Sequence, residues 1–157
     1  MFPERYNRAT RMLYHACEFS ESADLLLRED RNQKLGACER YFNSAVICLS
    51  LSCEVYLKTL LMYYNLPVDK IHTLNELFNK LPEELKQTIK NESNVDESFI
   101  KEFSNIFITR RYFYENDESI TFLSIGNLVV LRNVLRNESC RAVHSLSWDE
   151  YRKKMGW

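Results

Sequence analysis

Residues 45–64, AVICLSLSCEVYLKTLLMYY, constrain this chain more than any other segment: across twenty positions nearly every side chain is apolar or small. A helix of that length is long enough to span a bilayer. Glu54 and Lys58 sit near its middle, however, and each costs roughly 2.5–3.5 kcal/mol at the centre of a membrane span. The run therefore reads as the central core helix of a bundle, apolar on almost all sides. Glu54 and Lys58 are four residues apart and share a face with Ile47, Leu51 and Leu61. Two readings of the pair stand open. One is a lysine that snorkels to water with its glutamate beside it. The other is a carboxylate kept in an apolar wall because it holds a further charged residue.

The remainder of the chain supports a helical reading. Only three glycines (Gly36, Gly126, Gly156) and three prolines (Pro3, Pro67, Pro82) punctuate 157 residues. An all-β chain needs far more turn residues, and parallel α/β units carry more glycine. A first amphipathic helix is expected over about 5–29, with Tyr6, Met12, Leu13, Ala16, Phe19, Ala23 and Leu26 at helical spacing. The polar run 28–34 is expected to turn, and the central helix to occupy about 35–64. Pro67 ends it. Thr73 with Glu76 fits a capping box ahead of the apolar stripe Leu74, Leu77, Phe78 and Leu81. Pro82 suits the first position of a short helix over 83–90, followed by a polar loop at 91–94. A fourth long helix is expected over about 96–112, with Phe99, Phe103, Ile106 and Phe107 inward. A fifth is expected over about 122–137, built on Leu123, Leu128, Leu131 and Leu135, and a shorter amphipathic piece over 148–155. The fold class is all-α. Residues 1–157 form a single domain, a bundle of four to five main helices plus short ones, without repeats.

Charge and cysteine usage narrow the function. Twenty-one basic residues face twenty-two acidic ones, so no global basic footprint of the sort that drives sequence-independent nucleic-acid binding exists. The five cysteines (Cys17, Cys38, Cys48, Cys53, Cys140) are odd in number and contain no C-x-x-C. Cys38, Cys48 and Cys53 fall in the central helical stretch and read as small buried hydrophobes of a reducing compartment. His15, His72 and His144 are too scattered for a zinc-ligand pair, and neither a metal nor any other cofactor is expected. No apolar leader opens the sequence, which is expected to be cytoplasmic and free of the membrane. Gly-rich phosphate loops, G-x-S-x-G and H-E-x-x-H are absent.

Three segments, in order, resemble the HEPN superfamily of helical nucleotide-binding domains in higher eukaryotes and prokaryotes. They are Ser50-x3-Glu54-x3-Lys58-x-Leu60-Leu61, then HTLNELFNKLP from His72 to Pro82, then Arg111-Tyr-Phe-Tyr-Glu115. The resemblance is strongest over about 38–137. It implies a HEPN-like bundle that pairs into a homodimer. In active members it implies metal-independent RNA cleavage in a cleft between protomers, through an Arg-x4–6-His motif near the start of the last long helix. The arginine holds the scissile phosphate bidentately, and the histidine handles the proton of the attacking 2′-hydroxyl or the leaving oxygen. Such domains occur in toxins, some beside an antitoxin, and in phage defence. Others are non-catalytic RNA-binding or interaction modules.

The resemblance maps the catalytic positions onto Arg111, Glu115 and Asn116, and the RNA contacts onto Arg110, Arg111, Tyr112 and Tyr114. No histidine follows at the family spacing: Asn116, Asp117 and Glu118 occupy those places. Asparagine is no general base near neutral pH. The formal R-x6-H from Arg8 to His15 lies in the first helix, away from the family's position. Arg111 has a structural reading too, as an ion-pair partner of Glu54 beside Lys58. The tyrosines read either as base-stacking groups or as helix-end packing with satisfied hydroxyls. His72 is a candidate proton-transfer group or an anchor of its loop. Arg132, Arg136 and Arg141 read as a basic strip or as complements to the dipole of the last helix. Three functions follow: an RNA-associated protein of a toxin or defence system, a protein-interaction and dimerisation module on the same bundle, or, with only the basic patch behind it, a small-molecule or nucleotide-binding bundle.

Overall fold

The computed structural model describes residues 8–32, 40–68, 70–104 and 125–157. Among them are seven helices and no strand: α1 (Arg8–Arg31), α2 (Phe42–Tyr63), α3 (Leu74–Asn79), α4 (Glu83–Ser93), α5 (Glu97–Phe103), α6 (Ile125–His144) and α7 (Trp148–Met155). The all-α expectation holds.

The apolar run forms the middle of the bundle. α2 packs against α1, α6 and α3, while α4 lies on α6 and α5 on α3. Leu49, Cys53, Tyr56, Leu57, Leu60 and Leu61 are at most 1% exposed, since neighbours cover α2 on almost every side. By length and composition α2 is the one described helix able to cross a membrane, and 67% of its most apolar window is buried inside the bundle.

Helix ends depart from the sequence expectation where side chains cap them. α1 runs on to Arg31, so the first residues of the expected 28–34 turn are helical. α2 starts at Phe42 rather than near 35. Ahead of it, Asp30 Oδ1 on the last turn of α1 accepts the Arg40 and Tyr41 N–H groups at 3.1 and 3.0 Å, satisfying amide donors that have no helical partner. Pro82 is the N-cap of α4 rather than its first helical residue. The expected 91–94 loop is helical to Ser93, and Asn94, with φ 52, closes α4 in the left-handed region. Asp96 caps α5 by accepting the Phe99 N–H at 2.8 Å. That hydrogen bond holds its carboxyl below the usual aspartate range. Phe99 and Phe103 stack at 4.2 Å, as the inward stripe required. The rest of the expected 96–112 helix, with Ile106 and Phe107, and the stretch holding Leu123 lie outside the described residues. α6 outruns its expected end at 137 by two turns, because Ser139 and Cys140 are fully buried and keep the helix against the core. Ser147 and Glu150 then form a full capping box at the start of α7.

Candidate functional site

Glu54 is 5% exposed on α2. Its Oε1 accepts Lys58 Nζ, one turn on, at 2.6 Å, and His72 Nδ1 at 3.1 Å. Among the described residues, the glutamate thus meets one group besides its lysine, His72. Lys58 reaches water with 15% of its side chain exposed, and His72 stands out with 69%.

His72 owes its position to α3. Thr73 Oγ1 accepts the Glu76 N–H at 3.4 Å, and buried Leu74, Leu77 and Phe78 fasten the helix to the core. A second tie comes from α5. Ser104 Oγ accepts the Asn75 N–H at 2.8 Å and donates to Ile100 O at 2.8 Å. The chain enters the segment that carries the third motif at this residue. Arg110, Arg111, Tyr112, Tyr114, Glu115 and Asn116 lie outside the described residues, and with them the Glu54–Arg111 ion pair expected from sequence. The Glu54–Lys58 part of that expectation is present.

Chemically, a carboxylate can only accept, so Nδ1 of His72 is the donor in this contact. In the neutral ring that leaves the lone pair on Nε2. The site is thus an exposed imidazole with a fixed tautomer, a buried anion behind it and an ammonium alongside. Glu54, Lys58 and His72 line neither of two surface clefts, of about 380 Å³ beside Trp148 and about 430 Å³ beside Phe42.

The remaining histidines stand apart. His15 Nδ1 contacts Glu18 at 2.9 Å on the surface. His144 stacks on Tyr151 with centroids 5.0 Å apart, and burial pushes its pKa down.

Two polar clusters had not been read from the sequence. Arg132 is 2% exposed and donates to Ser20 O at 3.1 Å, Ser20 Oγ at 2.7 Å and Asp24 Oδ1 at 2.6 Å. Arg136 approaches Glu21 at 3.4 Å and lies 4.1 Å over the Trp148 ring; burial pulls its pKa down. Neither forms the basic strip or the dipole complement expected of them: both tie α6 to α1 or α7. Arg141 alone lies in the last turn of α6, where it pairs with Glu138 at 2.7 Å. The visible signal was two arginines four apart on α6 facing the S-E-x-x-D spacing of Ser20, Glu21 and Asp24. In the second cluster Tyr56 donates to Cys17 Sγ at 3.4 Å. A hydrogen bond from Cys140 lowers the Cys17 pKa, and the same bond raises that of Cys140. These cysteines, like Cys53, are fully buried free thiols, while Cys48 is only half-buried and Cys38 lies outside the described residues. Burial lifts Cys53 to about 12, against the opposing pull of Arg132 and Ser52.

A family model described as the HEPN domain matches residues 9–127. Searches of curated proteins and of solved structures return no match. The matched stretch takes in α1 to α5, the Glu54–Lys58–His72 cluster and the Arg111 motif, and on that extent the chain belongs to the HEPN domain family.

Proposed function

We propose that this protein is a metal-independent endoribonuclease of the toxin or phage-defence type, acting in the cleft of a homodimer. The observation that carries the reading is the meeting of Lys58 and His72 at one buried carboxylate. Two of the three segments behind the family resemblance converge there, and the Ser104–Asn75 hydrogen bond ties the entrance of the third to the same helix. Arg111 is seven residues beyond Ser104, a covalent reach of at most about 25 Å. Its guanidinium supplies the bidentate phosphate contact, Arg110 a second charge, and Tyr112 and Tyr114 faces for bases to stack on.

The test is incubation of the purified protein with total RNA in EDTA, beside an Arg111→Ala preparation whose fold is checked by circular dichroism. Cleavage by the wild type and not by the variant supports the reading. No cleavage by either sinks it, and moves the protein to the second reading, an interaction module. The exposed Tyr63–Tyr64 pair at the end of α2, with rings 5.1 Å apart, favours that second reading as a patch for a protein partner such as an antitoxin.

A further inference from the structure

Acid–base cleavage of RNA needs a proton acceptor, and the spacing after Arg111 supplies Asn116 in place of a histidine. We propose that His72 is the general base of this protein, with Glu54 and Lys58 as its positioning residues; the inference rests on the endoribonuclease reading. Three observations support it.

The first is orientation. Glu54 Oε1 holds Nδ1 at 3.1 Å, which fixes the tautomer and presents Nε2 as acceptor. The second is exposure. A polymer backbone cannot thread into a closed cavity, and the His72 side chain is 69% exposed while its anchor is 7% exposed. The third is redundancy. Lys58 already pairs with Glu54 at 2.6 Å, so the histidine is not needed to neutralise the buried charge. A contact from so exposed a ring adds little stability.

The step balances without a further reagent. Nε2 takes the proton of a ribose 2′-hydroxyl as O2′ forms its bond to phosphorus. The P–O5′ bond breaks, O5′ takes a proton from water, and the products are a 2′,3′-cyclic phosphate and a 5′-hydroxyl. The imidazolium returns its proton to solvent. Glu54 and Lys58 touch no reacting atom: the carboxylate aims the ring, and the ammonium, paired with it at 2.6 Å, holds the carboxylate in place.

His72→Asn is the deciding variant, because its amide can still donate to Glu54 but carries no titratable ring. A single-stranded RNA oligonucleotide serves both for cleavage in EDTA and for binding by fluorescence anisotropy. The expected result is a cleavage rate lower by about 10²–10⁴-fold, with RNA affinity and circular dichroism unchanged. Added imidazole is expected to restore cleavage to His72→Ala. Glu54→Gln, which keeps an acceptor but no charge, is expected to fall between wild type and His72→Asn. Cleavage by His72→Asn within about threefold of wild type overturns the assignment while the endoribonuclease reading stands. Loss of fold or of RNA binding in His72→Asn also overturns it, by making the residue structural. An inactive wild type removes the endoribonuclease reading itself.

Discussion

At the scale of single residues, Arg132 sets the sharpest test of what holds the bundle together. Its guanidinium is 2% exposed, yet Asp24, the only carboxylate within 3 Å among the described residues, is 42% exposed. The two partners are therefore not equivalent. Removing Asp24 strands a buried cation on three neutral acceptors, two of Ser20 and the Asn133 Oδ1 that accepts from Nε at 2.9 Å. Removing Arg132 leaves a carboxylate that water already reaches. Asp24→Ala is expected to cost about 2–3 kcal/mol in urea unfolding, below the ~3–5 kcal/mol of a fully enclosed pair because Asp24 keeps part of its hydration. Arg132→Met on that background is expected to recover stability, since it removes the stranded charge. A double variant less stable than Asp24→Ala alone contradicts this account. The spacing of the two arginines and of Ser20, Glu21 and Asp24 was visible, but their pairing was not: Arg132 and Asp24 are 108 residues apart, and the local pattern of a helix does not mark which arginine points inward. Glu54 was more legible, because a charge in a twenty-residue apolar run has to be accounted for. Its lysine was visible four positions on; its histidine, in the next loop, was not assigned to it.

At the scale of elements, α7 is a short helix whose attachment is almost wholly aromatic. Tyr151 stacks on His144, Trp157 meets Tyr14 with centroids 5.6 Å apart, and Trp148 lies under Arg136. His144 Nε2 is buried without a hydrogen-bond partner among the described residues. Burial and Lys154 both push the His144 pKa below its usual 6.5. The unfolded or undocked state therefore binds the proton more readily than the docked one. Stability from this contact is complete above pH 6.5 and declines as pH falls below it. The chain has only two tryptophans, and both sit in this clasp, so their emission reports on α7 alone. A red shift on titration from pH 8 to pH 5 is expected in wild type and is expected to vanish in His144→Phe, which keeps the ring stack and removes the titration. A shift that survives the substitution assigns the transition to another group. α7 itself was readable from its amphipathic pattern. The length of α6 was not, because Ser139 is polar by composition but fully buried, so the apolar stripe in the sequence stops at Leu135. The start of α2 was misplaced for a related reason: the Arg40 and Tyr41 N–H groups just ahead of it are held by Asp30 of α1, a partner outside the local window.

At the scale of the whole molecule, near-neutral charge turns RNA binding into a measure of assembly. A net charge of −1 provides no diffuse attraction for a polyanion, so any salt dependence must come from a few phosphate contacts. The proposed function gives each protomer two, Arg110 and Arg111. For single-stranded RNA each contact contributes about −0.7 to the slope of log K against log salt concentration. One protomer acting alone should thus show a slope near −1.4, and a cleft shared by two protomers one near −2.8. Sedimentation of the same samples gives the oligomeric state independently. Arg111→Ala is expected to halve whichever slope is found. A slope of −2.8 from a sedimenting monomer contradicts the homodimer cleft, because the additional contacts must then come from elsewhere on one chain. A slope near zero, with tight binding, removes the arginine pair from the interface and leaves stacking on Tyr112 and Tyr114 as the source of affinity.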